Sequence, residues 1–124
     1  MATVAELMTR DVVAVDPADT VGEAAEKMIA AGVGAVVVSD FGNIIGILTE
    51  RDILRAVAHR THSAEARVRQ WMTANVITVE ASTPAEEAAK TMLDHNFRHL
   101  PVVDNGRSVG IVSLRDFARE TFTD

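Results

Sequence analysis

A chain of 124 residues suits one compact domain, and 48% apolar with 24% charged residues is ordinary for a soluble globular protein. The absence of cysteine excludes disulfides, thiolate nucleophiles and sulfur-ligated metals, and makes the reducing cytoplasm the expected location. A net charge of −6 argues against an extended contact with a phosphate backbone, and no apolar run approaches the roughly 18 residues that span a bilayer, so neither nucleic acid nor membrane is an expected partner.

Read in chain order, Val4, Leu7 and Met8 sit at i, i+3, i+4 and predict a short turn of helix. The run VVAV (12–15) predicts a brief strand. Thr20 and Glu23 have the spacing of a capping box, opening a helix whose apolar stripe is Val21, Ala24, Ala25, Met28 and Ile29. Gly32 follows as a left-handed stop. Strands at 35–39 and 44–48 flank the turn DFGN (40–43), with Gly42 the positive-φ residue. A helix then begins at Thr49 and is expected to bury Ile53 and Val57. The stretch 58–67 is a link.

The same order returns. Val68, Trp71 and Met72 repeat the first turn, and VITV (76–79) repeats the first strand. Thr83 and Glu86 have capping-box spacing, Pro84 falls at the first helical position, and Ala85, Ala88, Ala89, Met92 and Leu93 form the stripe. Asn96 stands where Gly32 stood. Strands at 99–103 and 108–112 flank DNGR (104–107), with Asn105-Gly106 as the turn. Pro101 is expected to move its strand toward a sheet edge, since proline cannot donate to a ladder. A last helix starts at Ser113 and buries Phe117.

The two halves align without a gap at an offset of 64. VAELMTRDVVAV (4–15) lies over VRQWMTANVITV (68–79), and GILTERD (46–52) over GIVSLRD (110–116). Each half is near 60 residues, where a lone core is marginal, so the halves are expected to pack on each other about a pseudo-twofold axis.

Thr49 and Asp52, three apart at a helix start, share one face, as do Ser113 and Asp116. An ionised Asp only accepts hydrogen bonds and suits a ribose diol, while unpaired N–H groups nearby favour an anion. The same spacing also describes an N-cap with an acid in the first turn, and on spacing alone both readings stand. Arg51 and Arg115 reach phosphate or face water. His59 and His62, with no third ligand near, make a poor metal site. Met28 and Met92 read as core filler, and Trp71 as a core or subunit contact. No nucleophilic triad, P-loop or dinucleotide fingerprint is present, so an enzyme is not expected.

These motifs, repeated in register over essentially the whole chain, resemble the CBS domain family. LMTRDVVAV and WMTANVITV at the starts, FRHLPVVD in the second copy, and Gly-x-x-Thr/Ser-x-x-Asp at both ends carry the likeness. The resemblance implies a mixed α+β fold, a tandem repeat of two βαββα units with limits near 7–64 and 71–124. It implies a regulatory module that binds an adenosine-type ligand (AMP, ADP, ATP or S-adenosylmethionine) in clefts between the repeats, without a required cofactor or metal. It also implies a homodimer, read by an unidentified protein effector or by another copy. An alternative is a structural dimerisation or interaction module whose clefts are vestigial. Carried onto this chain, the main cleft takes Thr49 and Asp52 for the ribose, and Arg98 and His99 for phosphate. Thr9, Val12, Val13, Val33 and Gly34 complete its lining. A second, weaker cleft takes Val76, Ile77, Phe97, Ser113 and Asp116. There the positions that correspond to Arg98 and His99 are Gly34 and Ala35, which carry no charge.

Overall fold

The computed structural model describes residues 2–10, 12–60, 62 and 64–123. Its elements, in order, are α1 (Val4–Leu7), β1 (Ala14–Val15), α2 (Val21–Ala31), β2 (Ala35–Asp40), β3 (Asn43–Thr49) and α3 (Glu50–Ala58). They are followed by α4 (Val68–Trp71), β4 (Thr73–Ala74), β5 (Val79–Glu80), α5 (Ala85–His95), β6 (His99–Asp104), β7 (Arg107–Ser113) and α6 (Leu114–Thr123). The fold is mixed α+β with two small sheets, and it divides into two compact units. One unit is Val13–Val76; the other joins Met1–Val12 to Ile77–Asp124. Sequence repeats and packing units are thus different divisions of the chain: the segment that opens each repeat packs on the sheet of the other.

In the unit Val13–Val76 the strand order is β1-β2-β3-β4, with β1 parallel to β2 and the other pairs antiparallel. The capping box forms: the Thr20 amide donates to Glu23 Oε1 at 2.9 Å, and the Glu23 amide to Thr20 Oγ1 at 3.0 Å. Gly32 ends α2 in the left-handed region with φ 68°. Val15, Ala24, Met28, Val36, Val38, Leu48 and Val68 make the core, with Ile53 and Trp71 packed against it. Burying each Val, Leu or Met side chain of this set is worth about 1.5–3 kcal/mol.

The joint where α4 meets this sheet explains the glycine of the repeated motif. A Cβ on Gly46 would lie 2.7 Å from the Thr73 carbonyl oxygen and 2.9 Å from Met72 Sδ. In the other unit a Cβ on Gly110 would lie 2.8 Å from the Thr9 carbonyl oxygen and 2.5 Å from Met8 Sδ. The Met-Thr of one motif therefore closes over the glycine of the other, and both copies need the bare backbone.

The second unit has order β5-β6-β7 around a core of Val4, Ala88, Met92, Leu100, Val102 and Val112. Phe117 packs against that core. Pro101 does not send its strand to an edge: β6 is the middle strand and Pro101 is buried. What proline removes is one rung. The first unit pairs Ala14 with Val37 and Val15 with Val38, and the Val37 amide donates to Val13. At the offset of 64, Pro101 stands in place of Val37 and has no amide to donate. The ladder accordingly begins one residue later, pairing Val79 with Val102 and Glu80 with Val103. This also shifts the strand anticipated at 76–79.

The start of α5 differs from its reading as well. Pro84 is the N-cap rather than the first helical residue, and no side-chain cap bond forms. Instead α1's segment serves this helix end: the Ala85 amide donates to the Ala2 carbonyl at 3.0 Å, and the Thr83 carbonyl accepts from Val4 at 2.9 Å. Asn96 closes the helix in the left-handed region, φ 58°.

Three residues assigned to core stripes face outward instead: Ile29 (81% exposed), Leu93 (70%) and Val57 (60%). On α2 and α5 the buried set is Val21, Ala24, Met28 and Ala85, Ala88, Met92; Ile29 and Leu93 lie one residue, about 100°, past it. On α3 the buried residues are Asp52 and Ala56, which turns Leu54 and Val57 to solvent. At the β2–β3 turn both Phe41 (φ 51°) and Gly42 (φ 83°) are left-handed, matching Asn105 (φ 52°) and Gly106 (φ 78°). Phe41 is 98% exposed.

Candidate functional site

Each unit carries the same strand-to-helix corner. In the first, β3 runs into α3 at Thr49, an extended N-cap with φ −116° and ψ 167°. The Thr49 amide donates to Asp52 Oδ2 at 2.9 Å, and the Thr49 hydroxyl lies 3.1 Å from the same oxygen. The Asp52 amide returns a bond to Thr49 Oγ1 at 3.3 Å. Arg55 Nη1, one turn on, meets Asp52 Oδ1 at 3.3 Å. Asp52 is 4% exposed and is the one charged residue in the buried class among the described residues. Donors face both of its oxygens, which offsets the cost of burying so polar a group.

The second corner repeats this chemistry. The Ser113 amide donates to Asp116 Oδ2 at 2.7 Å, the Ser113 hydroxyl lies 3.2 Å from it, and the Asp116 amide donates to Ser113 Oγ at 3.3 Å. The corners differ in burial, since Asp116 is half-buried.

A second strand end abuts each corner. Ala35 sits opposite Thr49, and the Glu50 amide donates to the Gly34 carbonyl at 3.0 Å. His99 sits opposite Ser113, and the Leu114 amide donates to the Arg98 carbonyl at 3.1 Å. The first unit thus brings Gly34, Thr49 and Asp52 together, with Val13 and Val33 packed against the same core. The second brings Arg98, His99, Ser113 and Asp116 together, with Ile77 and Phe97 against its core. Thr9, bridged to Ile111 through both backbone groups, and Val12 belong to the second unit; Val76 belongs to the first. The Arg98 side chain is exposed and that of His99 half-buried.

Two participants escaped the reading of the sequence. Arg55 holds Asp52, and its signal was the i, i+3 spacing between an acid and a base on a helix. Glu50 folds over Gly34, so that a Cβ placed there would lie 2.8 Å from Glu50 Oε1. His59 Nδ1 lies 2.8 Å from the Arg55 carbonyl oxygen, and the ring packs on Trp71 with centroids 5.4 Å apart. Among the described residues no helix is long and apolar enough to cross a membrane.

A family model for the CBS domain matches residues 4–59 and again 68–122. A 17.7 kDa protein of Acidianus ambivalens is 42% identical over 122 residues, covering 96% of this chain and 73% of its own length. The CBS domain-containing protein YhcV of Bacillus subtilis is 35% identical over 118 residues, covering 95% of this chain and 84% of its own. The solved CBS domain pair of protein MJ0100, in complex with 5′-methylthioadenosine and S-adenosyl-L-methionine, matches with a TM-score of 0.90 at 28% identity over 99% of this chain and 98% of that one. With the family model matched twice in order, this chain belongs to the CBS domain family, as a tandem pair.

Proposed function

We propose that this chain is a regulatory sensor module for an adenosine-type ligand: AMP, ADP, ATP or S-adenosylmethionine. The observation that carries the reading is the doubled Thr/Ser–Asp corner, a carboxylate and a hydroxyl fixed at the first turn of a helix. Thr49 and Asp52 take the ribose, with Gly34, Val13 and Val33 beside the base and Thr9 and Val12 completing the lining. Arg98 and His99 take the ligand's anionic group. Ser113 and Asp116, with Val76, Ile77 and Phe97, form the weaker second site. The chemistry is binding rather than catalysis, and the repeats near 7–64 and 71–124 are the two halves of one module. Ligand occupancy biases a conformational equilibrium that a partner reads, so the signal equals the ligand's differential affinity for the two states.

The outward Ile29, Leu54, Val57 and Leu93 support self-association through helix faces as a homodimer. Sedimentation of Leu54→Glu against the parent chain tests this, with a shift toward monomer as the expected result.

A thermal-shift screen with AMP, ADP, ATP and S-adenosylmethionine tests the ligand reading. A ligand at 100 times its Kd stabilises by about 2.7 kcal/mol, a rise in Tm of roughly 10 °C for a chain of this size. One observation favours a second reading, a dimerisation or interaction module with vestigial sites: Asp52 is buried and already bonded by Thr49 and Arg55. No shift with any of the four compounds selects that reading.

A further inference from the structure

The corners of the two units are charged differently around one equivalent backbone bond. The bond from the Glu50 amide to the Gly34 carbonyl and the bond from the Leu114 amide to the Arg98 carbonyl are the same bond at the offset of 64. In the second unit the strand end bears the Arg98 cation. In the first the strand end is bare glycine, and the Glu50 carboxylate lies over it.

That carboxylate and the neighbouring exposed Arg51 both lack an ion pair among the described residues, and it is the carboxylate that lies over Gly34. Asp52, by contrast, is matched by Arg55. The positive end of the α3 dipole is also spoken for, because Glu50 and Asp52 both stand in its first turn. Little field is left there to attract phosphate.

We propose that Glu50 is a specificity-determining residue that makes this unit prefer an adenosyl ligand with a positive centre, an adenosyl sulfonium, over a nucleoside polyphosphate. The inference rests on the adenosine reading above. A ligand held by Gly34, Thr49 and Asp52 lies within several ångströms of the Glu50 carboxylate. One unit charge at about 6 Å changes affinity by roughly 3- to 100-fold between the limits of a watery and a partly buried setting. The sign favours a sulfonium and opposes each phosphate.

Titration calorimetry on the full chain with S-adenosylmethionine, 5′-methylthioadenosine, AMP and ATP tests it, comparing the parent with Glu50→Gln and Glu50→Lys. Glu50 is exposed, so both variants should fold, which circular dichroism checks. The parent should bind S-adenosylmethionine more tightly than ATP. Glu50→Gln should narrow that ratio roughly 3- to 100-fold, leave the uncharged 5′-methylthioadenosine unmoved, and be exceeded by Glu50→Lys. A ratio that stays constant across all three proteins, or a parent that prefers ATP, overturns the role of Glu50 and leaves the adenosine reading standing. A parent that binds none of the four overturns both.

Discussion

The Thr49 hydroxyl and the Asp52 carboxylate hold each other at the head of α3: Thr49 Oγ1 accepts from the Asp52 amide at 3.3 Å and lies 3.1 Å from Asp52 Oδ2. The pair is a helix cap by geometry, and the ribose-reading role proposed for it would use the same atoms. Oδ2 is committed to the cap, while Oδ1 faces only the long, 59% exposed Arg55 side chain among the described residues. A diol that exchanges with Arg55 at Oδ1 can bind without opening the cap.

Asp52→Ala should therefore do two separable things. Losing the cap partner should lower stability by about 1 kcal/mol. Losing the charged acceptor should weaken adenosine-ligand binding by about 1.5–3 kcal/mol, roughly 10- to 150-fold. Asp116→Ala should show a similar stability loss with less effect on the tighter site. Denaturant melts paired with calorimetry measure both, and an equal or reversed affinity loss would refute the asymmetry.

Gly46→Ala should destabilise although alanine is small. Its methyl would lie 2.7 Å from a backbone oxygen of Thr73, which cannot swing aside as a side chain would. The expected loss is about 1–3 kcal/mol, the range for overpacking. A melting temperature within error of the parent's would show that the β3–β4 joint yields to a methyl group without cost.

Phe41→Asn should stabilise. Phenylalanine pays for a left-handed backbone at φ 51° and buries nothing in return, being 98% exposed. Asparagine holds the equivalent Asn105 at φ 52°. A gain of about 0.5–1 kcal/mol is expected, visible as a few degrees in Tm. A loss of stability would mean that Phe41 makes a contact in solution.

Glu23 supplies a pH test. Its bond from the Thr20 backbone, and then that with the Thr20 side chain, hold its pKa below the ordinary 4.5. Because the folded value is the lower one, the contribution is present above the unfolded value and fades as pH falls through the folded value. Glu23→Gln should thus be less stable than the parent at pH 7 and indistinguishable from it once the parent's Glu23 is protonated in both its folded and its unfolded state. Urea melts at pH 7 and at pH 3 compare them; a difference that persists undiminished at the lower pH contradicts the assignment.

What could be read from residues alone was whatever closes within one turn of chain. The Thr20–Glu23 box, the left-handed Gly32 and Asn96, the two hairpin turns and the paired Thr49–Asp52 and Ser113–Asp116 corners all join groups a few positions apart. Their geometry follows from local backbone sterics, and their duplication marked the family. The outcomes that went otherwise, at Pro84, Val57, Ile29, Leu93 and the strand holding Pro101, each turn on a neighbour distant in sequence. Ala2 and Val4 take over the start of α5, and β5 begins late because its partner lacks one amide. The glycines of the repeated motif belong to the same class, since the Met-Thr pairs that forbid a side chain at Gly46 and Gly110 come from other segments. Periodicity states that a helix has an apolar side; only packing states which residue of that side meets the sheet, because burial is a property of the neighbour as much as of the residue.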